Sequence, residues 1–124
     1  MLRRALILPA FLLLTACAGV TPPDKAADVE TAFTAVLTGW VGYLNLPDCT
    51  TPNGMAAKPL CSDTAVIAKG APIREAAFAK VEAYRAAAND PNAPTSAIQQ
   101  AASDATAAIG AFQAIVNALP KKSG

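Results

Sequence analysis

Seven apolar residues late in the chain recur at spacings of four, three, four, three, four and three: Ile98, Ala102, Ala105, Ile109, Phe112, Val116 and Leu119. Only an α-helix, at 3.6 residues per turn, gathers such positions onto one side. A helix with one apolar stripe must cover it with other elements, so this segment demands helical partners. At 1.5 Å per residue, a helix over about 94–119 spans ~39 Å. Ser96 followed by Gln99 fits a capping box at its start, and Pro94 suits a first-turn position.

Two earlier segments can supply the partners. Val29, Phe33, Val36, Leu37, Trp40, Val41 and Leu44 recur at helical spacing and predict a helix over about 22–45. Thr21 suits its N-cap, Pro22 the first helical position, and Asp24 stands three residues beyond the cap. Leu46-Pro47 ends it. Gly39 and Gly42 lie inside and each cost up to about 1 kcal/mol of helix propensity unless they admit a close neighbour. The second partner runs over about 63–88, capped at Ser62-Asp63, with Ile73, Ala77, Val81, Tyr84 and Ala88 facing inward. Gly70-Ala71-Pro72 predicts a kink or break there, because proline removes one hydrogen bond and clashes with the carbonyl of Ala68. Asn89-Asp90-Pro91-Asn92-Ala93-Pro94 reads as a turn, and Pro120 to Gly124 as a polar tail. Sustained β-type alternation is missing, and alanine, roughly a quarter of the chain, favours helix. The expected fold is all-α, a small antiparallel three-helix bundle.

The start of the chain has a different character. Met1 to Arg4 is a short positive region, Ala5 to Leu14 a continuous apolar run, and small residues follow. These are the parts of a secretory signal. The run is shorter than the about 20 residues that a bilayer-spanning helix needs. Leu14-Thr15-Ala16-Cys17 resembles the lipobox of bacterial lipoproteins. The resemblance covers residues 1–17 and implies cleavage before Cys17, diacylglycerol on the Cys17 thiol and a membrane anchor through that lipid. Residues 1–16 are then a signal peptide, 17–21 a lipidated tether and 22–119 the bundle. The implied address is the bacterial cell envelope, facing the periplasm. Ala18, rather than Asp, after the cysteine goes with the outer membrane in enterobacteria-like lipoproteins.

In an exported chain the two remaining cysteines, Cys49 and Cys61, form an even pair in a compartment where disulfides persist. They are expected to bridge and to staple the long irregular stretch 47–62. Thr50-Thr51-Pro52-Asn53-Gly54 is dense in turn residues, Asn53-Gly54 favours positive φ, and Pro59 stops any helix begun at Met55. Loops held on a scaffold often carry function. Thr51, Asn53, Met55 and Lys58 are therefore the candidate recognition residues.

Composition closes off several kinds of chemistry. The chain has no histidine, which excludes Ser-His and Cys-His nucleophile activation and weakens any zinc reading of the cysteines. It carries no Gly-rich phosphate loop or Asp-rich calcium loop. Without Arg3 and Arg4, the ten basic residues become eight against nine acidic ones, so nucleic-acid binding has no electrostatic basis. Glu75 and Glu82, seven apart, could share a helix face, but Arg74, Lys80 and Arg85 mark that face as solvated; Asp104 is the remaining carboxylate of interest. Trp40 and Tyr43 are expected in the core near the loop, with Tyr84 meeting them. No cofactor, metal or catalysis is expected. The expected role is a binding or structural module with the membrane as one partner, through Cys17, and an envelope protein as another.

A second resemblance rests on Tyr43-Leu44-Asn45-Leu46-Pro47-Asp48-Cys49 and Leu60-Cys61-Ser62-Asp63 between Ala-rich helices. This stretch, within about 26–90, is similar to short helical proteins of proteobacterial phages and prophages. It implies an alternative role, altering a host surface or blocking a receptor through the 49–61 loop, and transfers no site.

Overall fold

The computed structural model describes residues 21–120. The expectations for Cys17, the signal peptide and the tail beyond Pro120 lie outside those residues. Among the described residues four helices follow in order: α1 (Pro22–Leu44), α2 (Pro52–Ala57), α3 (Thr64–Asn89) and α4 (Thr95–Asn117). Among the described residues there is no strand, only an isolated parallel bridge between Asp48 and Ser62. The three long helices form an up-down-up bundle. Gly70, near the start of α3, lies against Trp40 and Ile115, near the ends of α1 and α4. Arg85, near the end of α3, reaches back to Glu30 on α1 at 3.0 Å. The bundle is thus antiparallel between neighbours in sequence, with α1 and α4 parallel.

The capping box at Thr21 is formed: Asp24 N–H donates to the Thr21 hydroxyl, and the Thr21 N–H donates to the Asp24 carboxylate. The capping box expected at Ser96 and Gln99 is not. Pro94 is the N-cap of α4 and offers no side-chain hydrogen bond, and the helix starts at Thr95. With Pro94 in the cap position, Ser96 falls inside the first turn, where it cannot cap.

The four-three seam of α4 faces its own bundle. Ala105, Phe112, Val116 and Leu119 are buried, and Ile98, Ala102 and Ile109 pack against them half-buried. Phe112 meets Phe33 at 6.0 Å and the edge of Trp40 at 6.0 Å between ring centroids. These arrangements suit aromatic quadrupoles and add to the burial gain. The α1 stripe is narrower than its spacing suggested. Phe33, Val36, Trp40 and Tyr43 are buried, whereas Val41 and Leu44 remain 45% and 41% exposed on the outer side beside Ile67 and Ala71.

Of the kink or break expected at 70–72, the break is absent: α3 runs unbroken from Thr64 to Asn89 with Pro72 inside. Packing outweighs the lost hydrogen bond here. Gly70 leaves a notch two residues before the proline. A Cβ there would come within 2.4 Å of Trp40 Cη2 and 3.3 Å of Ile115 Cγ2. The indole, 2% exposed, fills that notch and holds the helix against both neighbours. Burying one large aromatic contributes on the order of 2–3 kcal/mol, comparable with the about 3 kcal/mol that an interior proline costs. Of the two α1 glycines, Gly39 does admit a close neighbour, Val116, while a Cβ on Gly42 would meet nothing within 4 Å.

Candidate functional site

Residues 45–63 close one end of the bundle as a compact cap. The chain leaves α1 at Asn45 and re-enters the bundle at Asp63, the N-cap of α3. Cys49 and Cys61 are joined, with their Cα atoms 4.9 Å apart. The crosslink closes a short loop and restricts the unfolded chain by about 3 kcal/mol in the chain-entropy account. Backbone bonds lie beside it: Cys49 N–H donates to Ser62 O at 2.9 Å, and Ser62 N–H to Pro47 O at 2.8 Å. The Ser62 hydroxyl donates to Leu46 O at 3.1 Å. Tyr43, buried at the end of α1, accepts from Asp63 N–H at its phenol oxygen at 2.7 Å, which ties the cap to the first turn of α3.

Within the loop, Pro52–Ala57 is a short helix where a positive-φ turn was expected at Asn53-Gly54. Thr51 decides the difference. Its side chain accepts from Gly54 N–H at 3.1 Å, and Pro52 occupies the first helical position, so the segment begins as a capped helix. Gly54 is needed for space: a Cβ there would sit 1.7 Å from Asp48 O. Lys58 ends the helix before Pro59, joined by a cis peptide bond.

Asp48 organises the near side of the loop. Its carboxylate accepts from the Thr50 hydroxyl at 2.7 Å and from Thr50 N–H at 2.8 Å. These bonds, the hydroxyl's first, hold the Asp48 carboxyl below the usual carboxylate range.

The four expected recognition residues therefore divide. The Thr51 hydroxyl is spent inside the cap, accepting from Gly54 and donating to Asp48 O at 2.7 Å. Asn53, Met55 and Lys58 stand on the outer surface, with Met55 55% exposed. Sequence spacing did not show the apolar groove next to the cap. It has a volume of about 350 Å³, and its walls come from Tyr43, Leu46, Leu60, Val116 and Leu119, three separate stretches of chain. Gly42 contributes bare backbone to it.

The other candidate chemistry is dispersed. Glu75 pairs with Arg74, and Glu82 with Arg85 at 3.2 Å. Arg85 also bonds Glu30, and these two carboxylates push the guanidinium pKa up, the Glu30 hydrogen bond most. Asp104 accepts from Gln100 at 2.9 Å, away from both pairs. Among the described residues no three His, Cys, Asp or Glu side chains are grouped to hold a metal. Tyr84 does not meet Trp40 and Tyr43. It lies at the opposite end of the bundle, beside Pro22, Lys25, Thr95 and Gln99. Its twenty-residue offset from the start of α3 corresponds to about 30 Å of helix, which could have placed it there.

Among the described residues no helix is long and apolar enough to cross a membrane. No protein-family model, curated protein or solved structure matches the chain.

Proposed function

We propose that this chain is a lipid-anchored protein of the bacterial envelope that acts by binding, with the disulfide-stapled cap as its recognition end. The observation that carries this reading is the lipobox-like Leu14-Thr15-Ala16-Cys17 standing four residues ahead of the capped start of α1. α1 extends ~34 Å from that start, so the cap projects away from an anchor at Cys17. Two or three acyl chains on one cysteine hold a bilayer stably where one does not. The cap is rigid on several counts, the disulfide, the Ser62 bonds and the Tyr43 tie, and it presents Asn53, Met55 and Lys58 from a short helix. Such pre-ordering lowers the entropic cost of binding.

Radiolabelled palmitate supplied to growing cells tests the anchor. Label should enter the wild type and be absent from Cys17→Ser; equal labelling overturns it. A photocrosslinker at Met55 tests the recognition end. A single envelope protein should be captured there, and the same capture from a position on the outer face of α4 would remove the cap's special role.

The similarity of residues 43–49 and 60–63 to phage and prophage proteins favours a second version, in which the captured partner is a phage receptor at the host surface. Expression should then lower susceptibility to phages that use that receptor; unchanged plating with the receptor crosslinked would exclude it.

A further inference from the structure

The end of the bundle opposite the cap holds a pocket of about 240 Å³ between the starts of α1 and α4 and the last turns of α3. Its wall carries hydrogen-bond donors from three helices: Lys25, Tyr84, Thr95 and Gln99, with Pro22 and Ile98 supplying apolar surface. Tyr84 is the decisive residue. It is only 3% exposed, and its hydroxyl makes no hydrogen bond among the described residues. No side-chain oxygen or nitrogen there is both sealed and unpaired. The Tyr84 hydroxyl is therefore not sealed: it opens onto the pocket that Tyr84 lines, a donor with no acceptor among the described residues.

The two helix starts differ in a way that points to the charge of the ligand. α1 offers no free backbone donors: Pro22 and Pro23 have none, Asp24 N–H is capped by Thr21, and Lys25 N–H donates to Thr21 O. α4 is uncapped. Its first paired donors are Ala97 and Ile98, both to Pro94 O, so Thr95 and Ser96 N–H have no acceptor among the described residues. Orphan N–H groups at the positive end of a helix dipole attract anions. The nearby carboxylates are engaged: Asp24 accepts from Thr21, and Asp90 from Asn92 N–H at 2.8 Å. Donors arriving from three helices suit a tetrahedral oxyanion, and the adjoining apolar wall suits a ligand that is itself part hydrocarbon.

We propose that this pocket binds the phosphate of a glycerophospholipid headgroup and thereby holds the bundle upright on the leaflet. The proposal rests on the reading of Cys17 as the lipidated residue. Cys17 lies five residues before Pro22, and an extended chain covers at most about 3.6 Å per residue, so the pocket would stay within about 18 Å of the anchor.

The test uses the full-length, isotope-labelled protein in micelles of an uncharged detergent, titrated separately with dihexanoyl phosphatidylglycerol, inorganic phosphate and dihexanoylglycerol. The phospholipid should shift the Thr95, Ser96 and Gln99 amide resonances saturably, and bind at least tenfold more tightly than either other compound. Tyr84→Phe keeps the ring and removes only an unpaired hydroxyl. It should leave Tm unchanged and weaken binding about tenfold, the scale of one hydrogen bond to a charged group. Lys25→Gln, an exposed change, should weaken it as well. Unmoved amides, equal affinity for inorganic phosphate, or full affinity in Tyr84→Phe would each overturn the proposal. Palmitate labelling of Cys17 reads the anchor independently: a labelled protein that ignores the phospholipid sinks the pocket alone, and an unlabelled one that binds it sinks the anchor alone.

Discussion

Replacing Gly70 with alanine sets two opposed effects against each other at a single atom. Alanine in a helix interior is favoured over glycine by about 1 kcal/mol. The added Cβ, however, would lie 2.4 and 2.5 Å from Trp40 Cη2 and Cζ3, and 3.3 Å from Ile115 Cγ2. Ordinary contact needs about 1 Å more, and the indole cannot easily retreat because Phe112 packs on it. Overpacking of this kind costs about 1–3 kcal/mol. Gly70→Ala should therefore be net destabilising by about 1 kcal/mol. Gly110→Ala supplies the reference: it sits mid-helix in α4 with nothing within 4 Å of its Cβ and should stabilise by up to about 1 kcal/mol. The gap between the variants, about 2 kcal/mol, isolates the steric part and corresponds to about 10 °C in Tm for a domain of this size. Thermal unfolding followed by circular dichroism measures it. Trp40 is the chain's single tryptophan, so its emission reports the same site directly. In a Trp40→Phe background the smaller ring vacates the contact, and Gly70→Ala should turn from harmful to neutral or helpful. Equal melting temperatures for Gly70→Ala and Gly110→Ala would refute the reasoning, as would a steric penalty that survives Trp40→Phe.

Four further outcomes follow from the cap. Gly54→Ala places a Cβ against main-chain Asp48 O, which has no rotamer to escape through, so it should cost about 3 kcal/mol or more, read as a fall in the denaturant midpoint. Reduction of Cys49–Cys61 should lower stability by about 3 kcal/mol, and an unchanged midpoint under reductant would contradict the chain-entropy account. Tyr43→Phe removes the acceptor for Asp63 N–H and should cost about 1 kcal/mol, with faster amide exchange at Asp63. Asp48 has a folded pKa below its unfolded value of about 3.9, so its contribution is present above that value and disappears as pH falls through the folded one. Acid titration should thus loosen the cap below about pH 4, and Asp48→Asn should flatten that dependence.

The bundle could be read from the sequence where local and tertiary preferences agree. The α4 seam, the Thr21–Asp24 box and the Cys49–Cys61 pair each state their structure in short-range terms, and each is present. The misreadings arise where a distant residue decides. Pro72 left a break open beside a kink because the Trp40 indole, thirty-two positions earlier, is not visible in the local segment. Asn53-Gly54 predicted a turn because Thr51 and Pro52 compete for the same residues with a helix start, and the helix wins when Gly54 packs on Asp48. Val41 and Leu44 fit the α1 stripe by spacing, yet two neighbouring helices cover only part of the α1 circumference, and these two residues fall outside it. The groove next to the cap and the pocket at Tyr84 draw their walls from three chain segments each, so no single stretch of sequence announces either.

The up-down-up order has a mechanical consequence. α1 is the only covalent route from residue 21 to the cap, and α3 and α4 both lie downstream of the cap. A pull between the start of α1 and a partner gripping the cap would load that helix alone, along its axis, while α3 and α4 brace it from the side. Rupture would then require α1 to slide past Phe112 and past the notch that holds Trp40, sacrificing core contacts in shear instead of peeling one turn at a time. Resistance to such a pull is governed by the unfolding rate and not by equilibrium stability, and the interlock of Trp40 with Gly70 would set it.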